Sequence, residues 1–533
     1  MIRITLSHTL VIVLFVLGVA CGDRAAPLSE IEQPAPEQPA QNTDDTPVPP
    51  VEDEIPIDEP EVQEPLYHTF RGIAHVHSPY SHDACDGQGL LDDIPDSACL
   101  ADFRAAPCDN ELDFVFMTDH PSYMRDFNFE TILLYNASAG DELIYDATNQ
   151  PIANMMRCAN GHQVLLAVGF EGHHTMPLGM QSHVAPEHYV GITDDDAVAD
   201  SAAMLRALED VGALSAMAHS EEEDLSAQRI VDLELQAMEW YNPHGNFKTI
   251  LGGDVLSGNP LDAIDALSGL EKFLLGSNSG AHPDLAYLLL LPYWPQAGFD
   301  KWREVQQQRS ITGILGSDVH QNVSVDPLCT GTWSIACGVA AELYPNALML
   351  LASGGEIVLN DGDRLDSYAR IERWLENRVQ AESLALNDVV AAMRAGRNYG
   401  LFSVFGEPDK FLFQAVQGED VLDMGDQAQG AMQLQITLPS MPQALSGVNF
   451  SAEEAALAQI SMRLFHTSST GTTSVREIPA QGQVHEENIS APGAYHVEIW
   501  IQPKHFAQAA GSVQDVLERE YLWLISNSIR ILP

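Results

Sequence analysis

The spacing of apolar side chains changes along this chain, and each change predicts a different kind of segment. Residues 10–20 form an apolar run behind Arg3 that ends in Gly18-Val19-Ala20-Cys21. The run is shorter than the ~20 residues a spanning helix needs, so it reads as a signal peptide. Residues 23–64 are rich in Pro, Glu, Asp, Gln and Ala and nearly devoid of large apolar side chains. Such a composition cannot offset the entropy of ordering and predicts an extended tether. From Tyr67 the texture becomes globular. Short apolar runs at Phe114-Val115-Phe116-Met117, at residues 164–168 and at residues 312–316 predict buried parallel strands, and helical spacing over residues 201–211 and 230–238 predicts helices between them. A helix over residues 386–395, closed by Gly396, ends this α/β region. Beyond it, residues 411–416, 432–438, 460–465 and 495–501 are β-rich and separated by Gly and Pro, which predicts a small β-sandwich. The expected organisation is a signal peptide over 1–21, a tether over 22–66, an α/β domain over 67–400 and a β-sandwich-like domain over 401–533.

Composition narrows the function. A chain of 533 residues with 45% hydrophobic content has enough apolar material for more than one core. Its 76 acidic against 25 basic residues give a formal charge of −51, a field that repels nucleic-acid phosphates and excludes DNA or RNA as a partner. The same field attracts divalent cations, but an acidic surface serves solubility equally well. The small residues before Cys21 resemble the lipobox of bacterial lipoproteins, which implies a lipid anchor on Cys21 at the membrane of the cell envelope. Six further cysteines, Cys85, Cys99, Cys108, Cys158, Cys329 and Cys337, suggest disulfides in an exported chain. Cys329 and Cys337 bracket a short loop and are the expected pair, while the other four leave three pairings open.

The chemistry sits at the ends of predicted strands. His75-Val76-His77 follows a short strand over residues 70–74, where alternation aims both imidazoles to one side. Asp83 lies just beyond. Thr118-Asp119-His120 ends one apolar strand and Ser317-Asp318-Val319-His320 ends another. Several strand ends so rich in metal ligands are a poor match to chance.

Together with Glu171 and His219, this order of motifs resembles the PHP (polymerase and histidinol phosphatase) superfamily over roughly residues 70–325. The resemblance implies a distorted (β/α)7 barrel carrying divalent metal ions at the C-terminal ends of its strands. It places His75, His77, Glu171 and Asp318 around a first ion. A bridging Glu171, His219 and a loop histidine would hold a second, and Asp83, His120 and His320 a third. For the loop histidine the candidates are His173, His174, His183 and His188; His183 is chosen for its distance after Glu171, with His174 as runner-up. Imidazole with carboxylate suits Zn, Mn or Fe, two or three ions per chain, rather than Ca or Mg. Asp119 and Glu239 read as supporting rather than ligating groups, and His219 has the bland alternative of a satisfied core histidine. Arg71 and Arg125 are candidates for orienting a phosphate. The expected function is a metal-dependent phosphoesterase acting on a small-molecule, phosphorylated substrate outside the cytoplasm, with Glu171, Asp318 and His219 as catalytic residues. Alternatives are an amide, carbamate or carboxylic ester hydrolase with the same ions, and a lipoprotein that binds without turnover.

Overall fold

The computed structural model describes residues 67–245, 269–276, 280–290, 296–325, 344–440, 444–445, 448–479 and 483–533. The expected signal peptide, tether and lipidated Cys21 lie outside the described residues, as does the Cys329–Cys337 pair.

Strand β1 (His68–Val76) opens the fold, and helix α1 (Ser97–Asp109) follows it. Next come β2 (Phe114–Met117), an antiparallel hairpin of β3 (Glu142–Tyr145) and β4 (Pro151–Arg157), then β5 (Gln163–Val168) and β6 (Thr175–Leu178). Helix α2 (Val198–Asp210) leads to β7 (Leu214–Met217), α3 (Ala227–Asp232) to β8 (Ala237–Tyr241), and α4 (Gln296–Gln306) to β9 (Thr312–Val319). Parallel pairing runs β7, β8, β9, β1, β2, β5. Strand β6 pairs antiparallel with β7, and a Val168–Met180 bridge links the end of β5 to the residues just past β6, so the pairings return to their start.

Strands such as Phe-Val-Phe-Met in β2 are buried at every position, as parallel strands covered on both faces must be. The expected helix over residues 230–238 is broken. Glu234 adopts φ +57°, which ends α3, and the remaining apolar residues enter β8 instead. A short apolar run fits a buried strand as well as a helix, and its neighbours decide. At Gly313 in β9 a Cβ would stand 1.8 Å from the Trp240 ring, so glycine is what lets β8 and β9 pack here.

The expected boundary at residue 400 is crossed by hydrogen bonds. The first half of β1 pairs antiparallel with β10 (Glu376–Ala381), which pairs with β11 (Asn398–Leu401). Between these strands lies α6 (Leu386–Ala395), closed by Gly396 at φ +81°, whose N–H reaches the Ala392 and Met393 carbonyls; α5 (Tyr368–Trp374) precedes β10. The remaining strands are β12 (Leu412–Gln417), β13 (Met432–Thr437), β14 (Gln459–Ser468), β15 (Gly471–Pro479), β16 (Val484–Ile489), β17 (Gly493–Gln502), β18 (Tyr521–Ser526) and β19 (Ile529–Leu532). Strand β18 pairs with both β11 and β17, so one sheet continues from the parallel strands into the C-terminal region, while β12, β13 and β16 belong to a separate antiparallel sheet.

Two disulfides pin the first crossover. Cys85–Cys99 ties the loop after β1 to α1, and Cys108–Cys158 ties the end of α1 to the residue after β4. This is one of the three pairings the sequence leaves open.

Candidate metal centre

The ligand-type residues cluster where the parallel strands end, and the backbone there is irregular. His75, His219 and Asp318 adopt φ of 62°, 50° and 50°, a left-handed region uncommon for residues with side chains. At His75 this coincides with register shifts of β1 against both neighbours, between Ala74 and Val76 on β9 and between Ile73 and Val76 on β2. A kinked strand, rather than the plain alternation expected from H-x-H, thus brings both imidazoles to one place. Strain of this kind costs about 1–3 kcal/mol per residue and persists where surrounding structure holds it. Here Ser317 Oγ donates to the His75 carbonyl at 2.6 Å and Tyr368 Oη to the His77 carbonyl at 2.7 Å. Gly316 leaves room for a buried carboxylate, since a Cβ there would stand 1.8 Å from Glu239 Oε1.

Four of the rings have their Nδ1 atoms assigned by acceptors. His75 Nδ1 donates to Glu239 Oε1 at 2.6 Å. Ser81 Oγ gives its proton to Asp83 Oδ1 at 2.8 Å and so accepts from His77 Nδ1 at 3.0 Å. His120 Nδ1 donates to the Glu171 carbonyl at 3.2 Å and His320 Nδ1 to the Asp318 carbonyl at 2.8 Å. With Nδ1 carrying the proton, neutral imidazole presents a lone pair at Nε2. Those lone pairs all aim at carboxylate oxygens. His75 Nε2 stands 3.1 Å from Asp318 Oδ1 and 3.4 Å from Glu171 Oε2, and His77 Nε2 stands 3.3 Å from both. His120 Nε2 lies 3.4 Å from Asp83 Oδ2 and 3.5 Å from Glu171 Oε2, and His320 Nε2 lies 3.3 Å from Asp83 Oδ2. His219 approaches the other oxygen of Glu171, Oε1, at 2.7 Å.

A lone pair facing an anion is repulsive unless a proton or a metal cation stands between them, and the Nε2 atoms here face carboxylates at a spacing that suits the metal. Two N or O ligands at about 2.1 Å from one tetrahedral ion are themselves ~3.4 Å apart, which is the spacing found here. His75 Nε2, His77 Nε2 and Asp318 Oδ1 are buried and have no hydrogen-bond partner. These atoms fit a metal cluster by geometry, donor chemistry and unmet bonding capacity together. The groups able to hold an ion are His75, Glu171, His219 and Asp318; His77, Glu171, Asp318 and His320; and His77, Asp83, His120 and His320.

Protonation responds to the same crowding. Burial disfavours a charged His75, yet the Asp318, Glu239 and Glu171 carboxylates outweigh it and set its pKa well above the ordinary value. Burial is likewise overcome at His120, raised to about 9 mainly by Asp83 and Glu171. His77 goes the other way, lowered by burial and by neighbouring His320. Glu171 and Asp318 are held well below the usual carboxylate range because the histidines outweigh their burial.

Other expected residues fall elsewhere. His183 is not brought to the cluster: its Nδ1 meets the Tyr189 hydroxyl at 2.5 Å and its Nε2 the Phe127 carbonyl at 2.9 Å, which uses both nitrogens. His188 lies in a short 3-10 turn, Pro186–His188. His173 and His174 join Glu222 and Asp224 in a group of their own. Arg71 sits toward the opposite end of β1, bound to Glu376 at 3.1 Å and Glu407 at 3.0 Å, so it does not face the cluster. Arg125 is exposed beside Asp126. Asp119 accepts from Ser78 N at 2.5 Å and Ser78 Oγ at 2.7 Å, fixing the turn after His77. Glu239 joins two residues of the cluster, taking the His75 Nδ1 proton with one oxygen and the His219 backbone N–H at 2.7 Å with the other.

Sequence reasoning missed Ser81, which orients His77, and Asn242, whose Nδ2 donates to Asp318 Oδ2 at 3.0 Å. It also missed Glu221, 3.4 Å from His219 Nδ1. Their signal was position: each lies just past the end of a strand, Ser81 and Glu221 in loops that also carry ligand-type residues and Asn242 directly after the strand that carries Glu239.

No family model and no curated protein matches the chain. Among solved structures it is similar to the crystal structure of a two-domain protein containing a predicted PHP-like metal-dependent phosphoesterase from Bacteroides vulgatus ATCC 8482. That similarity has 12% identity over 86% of this chain and 95% of the other, with a TM-score of 0.27. The site is therefore read from its own geometry.

Proposed function

We propose that this chain is an exported metal-dependent hydrolase that cleaves small phosphoesters on a distorted (β/α)7 barrel of PHP type. The observation that carries the reading is the set of imidazole Nε2 lone pairs aimed at shared carboxylate oxygens at the ligand-to-ligand spacing of a tetrahedral ion. Two or three Zn, Mn or Fe ions held there would supply a nucleophile from water at neutral pH and Lewis acidity toward the ester oxygens. The chain's own residues position that chemistry. Glu171 divides its oxygens, Oε1 toward His219 and Oε2 toward His75, His77 and His120, the disposition of a bridging carboxylate. Asp318 and His75 form the buried floor, 3% and 0% exposed. Asp83 and His120 are half-buried at the open side, where the oxygens of a substrate have access.

Export is supported by the disulfides Cys85–Cys99 and Cys108–Cys158, which persist in oxidising compartments. No helix among the described residues is long and apolar enough to cross a membrane. Anchoring is assigned to a lipid on Cys21, and Cys21→Ser should release the chain from membranes. The test of function is a panel of phosphomonoesters, phosphodiesters, carboxylic esters and amides on metal-reconstituted protein. Phosphoester hydrolysis that chelation abolishes and Zn or Mn restores is expected. Cleavage confined to carboxylic esters or amides would overturn the substrate class, and hydrolysis indifferent to chelation would overturn the whole reading.

A further inference from the structure

We infer that His173, His174, Glu222 and Asp224 form a separate site for a transition-metal cation such as Zn, beside the proposed catalytic cluster. The four come from two loops that also carry cluster residues: the turn after β5, which holds Glu171, and the loop after β7, which holds His219. Their ligand atoms lie within 4.8 Å of one another.

His174 is the anchor. Its side chain is 0% exposed. Its Nδ1 faces the Ala218 carbonyl at 3.3 Å, an acceptor only, which assigns the proton to Nδ1. The Nε2 lone pair then points at Asp224 Oδ1, 2.5 Å away, with Glu222 Oε2 at 3.8 Å. The other oxygen of Asp224 meets His173 Nε2 at 3.0 Å, and the two rings lie 4.1 Å apart. His173 holds this place with φ +49°, a conformation uncommon for histidine. Two imidazoles and two carboxylates suit Zn, and a tetrahedral Zn site needs these four donors only about 2.1 Å from one centre. An ion inserted between His174 and Asp224 would open their contact toward the ~3.4 Å expected of two ligands.

Access differs from that of the cluster. Glu222, Asp224 and His173 side chains are 39%, 49% and 47% exposed, so a cation can enter from solvent while His174 forms the buried wall. The competing arrangement is a proton on His174 paired with Asp224, with the Lys301 ammonium, which donates to the Glu222 carbonyl, as the neighbouring positive charge.

The experiment uses full-length protein carrying Glu171→Ala, which cripples the catalytic cluster and makes this test independent of the hydrolase reading. Zinc bound per chain is measured by equilibrium dialysis and elemental analysis, with cobalt absorption as a second readout. We expect adding Asp224→Asn, or separately Glu222→Gln, to remove one zinc equivalent and its cobalt band. In the otherwise wild-type chain Asp224→Asn should also lose one equivalent while phosphoester hydrolysis stays within about twofold of wild type. Unchanged zinc content in both Asp224→Asn and Glu222→Gln would overturn the site. So would a loss of hydrolysis with Asp224→Asn in a folded chain, because these residues would then belong to the catalytic cluster.

Discussion

Buried histidines occupy two environments in this molecule, and burial does not tell them apart. In the C-terminal strands His496 stacks on Phe465, with ring centroids 5.1 Å apart, and lies edge-on to Trp302 at 4.9 Å. Its carboxylate neighbour Glu498 is already bound by Arg303 at 2.5 Å and Trp500 Nε1 at 2.9 Å. His505 packs against Phe450 and Phe506 and meets the Phe405 carbonyl at 3.1 Å. Burial keeps both neutral. At the ends of the parallel strands, by contrast, His75 and His77 each meet oxygens of both Glu171 and Asp318, and among the described residues no arginine or lysine pairs with those carboxylates. What separates a core histidine from a ligand is which atom faces Nε2 and whether that atom's charge is already matched.

The comparison breaks most visibly at Glu171. Glu171→Ala removes the carboxylate that faces His75, His77, His120 and His219, so it should lose more bound metal than His120→Ala. Hydrolysis should fall by more than the roughly 100-fold that loss of an outer partner causes. Both variants should stay folded, because ligands at strand ends lie outside the hydrophobic core. Elemental analysis beside circular dichroism reads both, and full metal content in folded Glu171→Ala would end the argument.

Glu239→Gln tests the positioning layer. The amide keeps one acceptor but turns an NH2 toward either the His75 Nδ1–H or the His219 N–H, so one ring loses its anchor. Metal affinity should drop about 10–100-fold, the range for such outer partners, with smaller loss than Glu171→Ala. An unchanged affinity would mean that the two rings are fixed by other contacts.

How far the sequence reveals this arrangement depends on the range over which each feature is decided. Strand β2 and the cap at Gly396 are legible because local pattern and local chemistry settle them. The ligand-bearing motifs are legible too, since each sits within a few residues of a strand end. Features set by distant partners are not. The split of residues 230–238 depends on Glu234 adopting a left-handed turn, and the disulfide partners of Cys85 and Cys108 depend on where α1 packs. The kink at His75 arises between two neighbouring strands, which a single strand's pattern cannot record.

On the core side of the comparison, His505 should make stability pH-dependent. Burial lowers its pKa to about 4, against about 6.5 in an unfolded chain. Between those values the unfolded state takes up a proton that the folded state refuses, so stability is lost as pH falls from 6.5 toward 4. The loss is at most about 3 kcal/mol for this group. Denaturant unfolding of wild type and His505→Gln at pH 7.5 and 4.5 isolates it. The wild type should lose more stability than the variant on acidification, and parallel losses would show that His505 titrates normally.

The smallest effect belongs to His183, which lies past β6 rather than in the turn that holds Glu171 and behaves like the core histidines. Both its nitrogens are used, by Tyr189 and by the Phe127 carbonyl, and neither faces a carboxylate. His183→Gln therefore removes loop contacts alone. The expected cost is about 1 kcal/mol of stability, the net worth of a hydrogen bond. Metal content should equal that of wild type. If His183→Gln instead lost as much metal as His120→Ala, the loop would have to move toward the cluster on metal binding, and Nε2 environment in this structure would no longer separate ligand from support.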